Sequence, residues 1–529
     1  MSNVVLLAIN AKYVHSSLSV WVIAEGINRY SRISHDVNVV EATINQKIED
    51  IVDGILQYNP DVIGISTYIW NAAMLCELCL QLRERLPGVV IVMGGPEASN
   101  NIDYWLENGA DYVLDGEGEY TLPPFLDSLE DDSSFINGDC SADIPVDPYT
   151  DDYFKSLGGR LSYIETSRGC PFKCAFCLSA GSSVKYFPLD TVKEQIYKLS
   201  QANTKTIKFV DRTFNCNAKR AYEIFEYVIS LDTVCVFHFE VAADLFDERT
   251  LLLLETAPTG RIQFEIGLQS FFMPALKAVS RQTDLIKAEK NILFLVNAQN
   301  IHIHIDLIAG LPYETISDFE NGFNYAYSLN THTLQLGFLK LLHGSELRKQ
   351  SESLGIHFNT VAPYEILFSP WLSGGDISIL KKIENALQHT RNKNRFISTL
   401  HYVQAVTGKS PFSLMHSLGS AAFNRGTQLE DYIVQVYDFF KGLPGVVEHE
   451  LKDCMIYDWL GMVKGKNTPA FLKNDDKQRI KIQETAEKTL GRKLRREEYA
   501  ILNSGIGIFV DSNNRNPVSE LYRVYICDV

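Results

Sequence analysis

Long apolar runs are missing from this 529-residue chain. No stretch approaches the roughly 20 residues that a membrane-spanning helix needs, which argues against an integral helical membrane protein. The opening residues, MSNVVLLAIN, lack a basic segment, and their apolar run is short and broken by Asn10. They do not read as a secretory signal, and the expectation is a cytoplasmic protein. Positive charge is scarce: 49 Lys and Arg stand against 65 Asp and Glu, leaving −16. That balance argues against nucleic-acid backbone as the main partner, because such binding rests on cations neutralising phosphates, although a local basic patch stays open. There is no internal repeat and no low-complexity segment. Only ten residues are cysteine. In a reducing compartment they point to metal binding or buried thiols rather than to disulfides.

What is present fits two or three domains, each able to bury a core. Residues 1–130 alternate β-rich runs (VVLLAIN, VNVVEA, DVIGIST, VVIVMGG, YVLDG) with helical ones. This alternation predicts parallel strands with right-handed crossovers, a doubly wound, Rossmann-like α/β domain. Residues 131–158, rich in Asp, Ser, Gly and Pro, read as a linker. A second alternating series over 159–358 has strands at LSYIET, TIKFVD, CVFHFE, RIQFEIGL, IHIHIDLI and TLQLGFL, which predicts a (β/α)6 partial barrel. Residues 359–529 read as a mostly helical domain ending in the strand-like LYRVYICDV.

The barrel segment carries its special residues just after the strands, on the rim where parallel barrels place their chemistry. First comes SRGCPFKCAFCLSA, with Cys170, Cys174 and Cys177 spaced Cys-x3-Cys-x2-Cys. Three thiolates on one loop can each bind one iron of a cubane and leave the fourth iron open. A structural zinc site would want a fourth ligand, and no further Cys or His is close in sequence. Cys76 and Cys79 form a C-x-x-C inside a helical pattern and read as buried thiols. Cys140, Cys216, Cys235, Cys454 and Cys527 stand alone.

At the cysteine loop the chain resembles the radical S-adenosylmethionine (SAM) superfamily. The resemblance implies a 4Fe–4S cluster on the three cysteines, whose free iron chelates SAM and whose electron cleaves it to a 5′-deoxyadenosyl radical. It implies that Phe176 lies by the adenine. It continues in FVDRTFN, with Asp211 and Arg212, in Glu240 at the end of FHFE, in IGLQS, with Gln269 and Ser270, and in DLIAGLPYET, with Asp306 and Gly310. These are the implied SAM contacts. LKLLHGSELRKQ resembles the family's closing segment, with His343 where proline is common.

The N-terminal segment resembles the cobalamin-binding branch of the superfamily. The matching loops are NAKYVHSS (Asn10, His15), STYIWN (Ser66, Thr67, Asn71), MGGPEAS (Gly94, Gly95) and DYVLDGEGE (Glu117). These become the candidate cobalamin contacts. The Asp-x-His-x-x-Gly motif that supplies an axial histidine in some cobalamin enzymes does not occur. His15 is read as a hydrogen-bonding or helix-start residue ahead of a cobalt ligand.

The resemblance implies a cobalamin-dependent radical SAM methyltransferase acting on an unactivated carbon of a small-molecule or peptide substrate. It also implies an electron donor such as flavodoxin or ferredoxin. The alternatives are a non-methylating cyclase or rearrangement enzyme, and a non-catalytic cobalamin or redox sensor that signals through the C-terminal helices.

Overall fold

The computed structural model describes residues 2–131, 145–421, 423, 428–472 and 479–528. Cys140 and residues 132–144 of the expected linker lie outside these residues. Among the described residues no helix is long and apolar enough to cross a membrane.

Five strands build the N-terminal sheet: β1 (Asn3–Asn10), β2 (Asp36–Thr43), β3 (Val62–Ser66), β4 (Val90–Gly94) and β5 (Tyr112–Leu114). All pair in parallel, in the order β2-β1-β3-β4-β5. The strand order reverses between β1 and β3, and open α/β sheets bind ligands outside the carboxyl ends of strands at such a point. The apolar runs that predicted the strands are their core. Val5, Leu7, Ile63, Ile65 and Ile91 pack against Ile51, Ile55, Leu75 and Leu78 of the flanking helices.

The central sheet has six strands: β6 (Ser162–Ile164), β7 (Thr206–Phe209), β8 (Val236–Val241), β9 (Ile262–Gln269), β10 (His302–Ala309) and β11 (Thr333–Phe338). They follow one another in chain order, β6 to β11, as a succession of β–α units requires. A parallel sheet covered on both faces reads as continuously apolar. These strands instead alternate. Ile207, Phe209, Phe237 and Phe239 are fully buried on one face, while Lys208, His238 and Glu240 on the other are half-buried. The same period runs through β9 and β10, where Glu265, Gln269, His304 and Asp306 take the polar face.

Residues 145–158 of the expected linker carry structure of their own. Asp151–Leu157 is a helix capped by Thr150, and Tyr149 and Tyr153 pack edge to face. Tyr153 also meets Trp21 edge to face. Its Asp, Gly and Pro content hid two aromatics, Tyr149 and Tyr153, that form a small core with Trp21.

The chain divides into two compact units: Met1–Thr256 with Leu276–Thr283 and Phe338–Pro370, and Ala257–Ala275 with Asp284–Gly337 and Trp371–Val529. In the second unit, six helices of ten residues or more (Gly374–His389 through Arg479–Leu490) precede an antiparallel sheet of β12 (Tyr499–Ile501), β13 (Ile506–Arg515) and β14 (Tyr522–Asp528). Two of these three strands were not expected from the sequence. Gly, Asn and Ser residues interrupt the apolar pattern of 499–515.

Asn392 ties this C-terminal part to β11, the last strand of the central sheet. Its carboxamide accepts from Leu334 N at 3.1 Å and donates to Leu334 O at 2.8 Å, as a neighbouring strand would. Removing it leaves both backbone groups without that partner, a loss of about 1–3 kcal/mol. Asn392→Ala should lower the urea midpoint of the second unit's transition at unchanged slope. An unchanged midpoint would show that the amide contributes nothing.

Candidate functional site

The cysteine loop is fixed at its base before any cofactor enters. Asp211, just past β7, is buried, and its carboxylate accepts Thr166 N at 3.0 Å, Thr166 Oγ1 at 2.7 Å and Ser167 Oγ at 2.5 Å. Ser167–Arg168 then pairs antiparallel with Lys185–Tyr186 and closes the loop. Gly169 has a φ of +94°, and a Cβ there would collide with the Ser183 carbonyl, so only glycine fits. Inside the loop Cys170 N donates to Ser182 Oγ, Cys177 N to Cys174 O, and Ala175 N to Val279 O.

Cys170 and Cys174 are buried and Cys177 is half-buried. Burial pushes the Cys177 thiol above its ordinary value, and its neighbours Cys174 and Cys170 add to that, against the Ser179 backbone and Arg212. Among the described residues, no three His, Cys, Asp or Glu side chains gather as a single metal ion requires. Three cysteines on one loop, with no fourth Cys or His close in sequence, suit a cubane in which each thiolate takes its own iron. Arg281 Nη1 lies 3.6 Å from Cys174 Sγ, and Thr213 Oγ1 lies 3.7 Å from Cys170 Sγ.

Arg168, two residues before Cys170, meets three carboxylates. Its guanidinium is 3.0 Å from Glu117, 2.7 Å from Glu119 and 2.8 Å from Glu165. Burial disfavours its charge, but Glu165, Glu119 and Glu117 more than offset this and raise its pKa. Burial raises the Glu165 carboxyl in turn, against the pull of Arg168. Glu117, expected at a cobalamin loop, is thus committed to the base of the cysteine loop.

The other N-terminal candidates divide into two groups. Asn71 holds the loop after β3, accepting from Tyr68 N and donating to Ser66 O and Ile9 O. Thr67 is fully buried. Both spend polar atoms on the turn that forms the rim. Gly95 has a φ of +103°, and a Cβ would sit 2.8 Å from Thr67 O, so strand-end geometry alone demands glycine. At Gly94 a Cβ would meet only Leu114 O, at 3.7 Å. Asn10 donates to His15 O and Glu41, and Ser66 bonds Ser19.

The sequence reading missed the aromatics on this rim. Tyr68 and Trp70 stack with centroids 4.3 Å apart and 7° between planes. Trp70 remains 43% exposed while its Nε1 donates to Ile9 O, and Tyr13 is 78% exposed. Exposed flat aromatics at the reversal point of the sheet suit a large, planar, amphipathic ligand such as a corrin. The signal was the Tyr-x-Trp within STYIWN.

The remaining SAM candidates of the first unit are Phe176, half-buried in the loop, Arg212, exposed after β7, and Glu240 on the polar face of β8. The second unit holds the others. Gln269 ends β9 with a φ of +73°, a strained conformation for a side-chain-bearing residue. Asp306 Oδ1 lies 3.0 Å from His304 Nε2. Gly310 takes a φ of +99° at the turn after β10. Ser270 departs from expectation. It is 2% exposed, accepts from Phe272 N and donates to Glu314. Its hydroxyl is built into the fold, so its loss would act through folding. Of the other cysteines, Cys79 is a buried thiol whose pKa burial pushes up to about 12, and Cys76 reaches the Tyr104 hydroxyl.

Two predictions follow from these buried charges. Arg168→Met leaves three carboxylates without their cation, and breaking such a partly buried group destabilises by about 3–5 kcal/mol. The variant should melt earlier and hold less iron than the wild type, and equal melting would refute the role of this ion pair. Burial pushes the Glu314 carboxyl up to about 7, against the Ser270 hydrogen bond. Its folded pKa exceeds its unfolded one, so its contribution is complete below about 4.5 and is lost as the pH rises through about 7. Glu314→Gln should flatten that decline in a stability–pH series. A decline of equal size in the variant would exclude Glu314 as its source.

Family models match three segments of the chain. Residues 4–126 match the B12 binding domain, residues 164–326 the radical SAM superfamily, and residues 352–504 the family described as "Protein of unknown function (DUF4080)". A protein named uncharacterized methyltransferase PH0819, from Pyrococcus horikoshii, is 24% identical over 351 residues, covering 60% of this chain and 75% of its own. The cobalamin-dependent radical SAM methyltransferase TokK of Streptomyces tokunonensis is 22% identical over 54% of this chain, and the match spans only 47% of TokK. Among solved structures, the radical SAM methyltransferase TsrM of Kitasatospora setae, with cobalamin and a 4Fe–4S cluster bound, superposes with a TM-score of 0.56. It shares 16% identity over 69% of this chain and 82% of its own, which shows a common fold. The B12-binding match covers the sheet with the aromatic rim and the radical SAM match covers the cysteine loop, so the chain is an enzyme of the radical SAM superfamily, in the branch with an N-terminal cobalamin-binding domain, and its cofactors are a 4Fe–4S cluster, SAM and cobalamin.

Proposed function

We propose that this enzyme is a methyltransferase that methylates an unactivated carbon of a small-molecule substrate. The observation that carries this reading is the joining, in one compact unit, of a three-cysteine loop to a parallel sheet whose ligand rim bears exposed aromatics. Arg168 links the two through Glu117 and Glu119 on one side and Glu165 on the other. The names of the relatives, methyltransferases in both cases, support the reaction class.

When bound, the cluster and SAM supply a hydrogen-abstracting radical and cobalamin supplies the methyl group. The protein's own part is to hold and to shield. Cys170, Cys174 and Cys177 would hold the cluster, on a loop that Asp211 keeps in place. In the first unit Phe176, Arg212 and Glu240 stand available to SAM, and in the second Gln269, Asp306 and Gly310. Asn10, Ser66, Gly94, Tyr68 and Trp70 would receive the corrin. Segments 1–130, 131–158, 159–358 and 359–529 serve as cobalamin domain, linker, barrel and C-terminal domain. A flavodoxin- or ferredoxin-type protein would supply the electron. A reactive radical demands that water and stray hydrogens stay out of the site.

The test uses anaerobically reconstituted protein. Cys174→Ala removes one of three thiolates from one loop and should yield nearly colourless protein with little iron. A full cluster in that variant would overturn the ligand set. With wild-type enzyme and a converted substrate, methylation forms S-adenosylhomocysteine together with 5′-deoxyadenosine. Turnover giving 5′-deoxyadenosine alone would assign a non-methylating cyclase or rearrangement reaction instead.

A further inference from the structure

The exposed side of the cysteine loop differs in charge from the chain as a whole. Residues 169–189 and 212–222 hold five cations, Lys173, Lys185, Arg212, Lys219 and Arg220, and no Asp or Glu, in a chain whose net charge is −16. The structure brings these two segments together. Thr213 Oγ1 lies 3.7 Å from Cys170 Sγ, the Tyr186 hydroxyl lies 3.3 Å from Cys216 Sγ, and the Arg220 guanidinium stands 5.5 Å from the centre of the Tyr186 ring. Gly181 N donates to Phe172 O at 2.7 Å, which folds the exposed residues 180–183 back beside Lys173. Ser182, exposed on this side, accepts from Cys170 N at 3.0 Å. Only the loop itself therefore separates this surface from the proposed cluster ligands.

Two of the five cations are engaged within the fold. Arg220 donates to Thr166 O and faces Asp211 and Glu223, and Lys185 has a partner of its own. Lys173, Arg212 and Lys219 are exposed, and none of their side chains enters an ion pair among the described residues. Lys219 lies in the first turn of the helix Ala218–Ser230, which carries no acid there. A helix dipole favours acids in that turn and opposes cations, so helix formation gives no reason for a lysine at this place. We propose that this surface is the docking site of an acidic one-electron carrier protein, with Lys173 and Lys219 as its charge contacts. One electron passes from the reduced carrier to the cluster, and no bond forms or breaks. The proposal rests on the cluster reading above. Long-range attraction speeds encounter without tight binding, which suits a carrier that must leave after each delivery. A nucleic acid would feel the same charge, but a position over the cysteines serves a partner that exchanges electrons.

The experiment mixes protein loaded with cluster and cobalamin with a reduced flavodoxin of strongly negative net charge. Rapid-freeze EPR follows the reduced cluster at several salt concentrations, with iron and cobalt counted on the same samples. The second-order rate for the wild type should fall as salt rises. Lys173→Glu and Lys219→Glu should each slow it by roughly threefold or more at low salt, and the double variant by at least about tenfold with a flatter salt dependence. Photoreduced deazaflavin, a small uncharged donor, should reduce every form at the same rate. Lys219 lies off the cysteine loop, so Lys219→Glu serves if Lys173→Glu holds too little iron. A salt-independent rate in the wild type, or variant rates equal to it, overturns the docking site while the cluster reading stands. Equal slowing of the deazaflavin reaction overturns it as well, because the cluster itself has then changed. Binding of a single-stranded oligonucleotide that both variants abolish, at unchanged carrier rates, assigns the surface to nucleic acid and overturns the proposal. Wild-type protein that takes up no iron sinks the cluster reading and the docking site with it.

Discussion

One guanidinium holds together what the chemistry needs adjacent. Arg168 sits at the base of the cysteine loop, with Glu165 from the end of β6 on one side and Glu117 and Glu119, just past β5, on the other. One cation among three acids is unbalanced, so no acid can be fully satisfied without it, and burial makes a bare carboxylate there expensive. The N-terminal sheet and the cysteine loop are therefore not two modules on a string. The residue that starts the loop is also the residue that anchors the sheet's last turn. Asp211 completes the arrangement from β7, so the loop is fixed at its entry by ion pairs and at its base by hydrogen bonds.

Much of this was legible in the sequence. Apolar β-branched runs separated by amphipathic stretches gave all eleven strands of the two parallel sheets, because that period is written by burial itself. The cysteine spacing was legible for a different reason: the three proposed cluster ligands lie within eight residues of one loop, where a local pattern can show them. The candidate contacts were less so. A motif records that a residue type recurs at a strand end, and it is silent on which way the side chain turns. Ser270, Asn71 and Thr67 occupy the expected positions, yet each bonds within the turn that bears it, and Asp211 bonds Thr166 and Ser167 at the base of the cysteine loop. Glu314, Tyr68 and Trp70 were passed over because their roles come from long-range packing, which no local pattern encodes.

The alternation along the central strands is the more informative departure. A parallel strand with both faces in apolar contact has no use for Lys208, His238, Glu265 or His304. Their presence at every second position shows that one face of the sheet was kept polar at the expense of core. Stability has to come from the opposite face, where Phe209, Phe237 and Phe239 are fully buried beside Phe225 of the covering helix.

Asn392 does for β11 what a neighbouring strand would do, with a side chain in place of a backbone. An outermost strand with open amides and carbonyls is a template on which a second polypeptide can grow, the usual first step toward fibres or swapped dimers. By occupying Leu334 from both sides, the carboxamide breaks the ladder that an incoming chain would have to extend. Losing so small a group would thus show less in the folded enzyme than in its tendency to aggregate when concentrated or warmed.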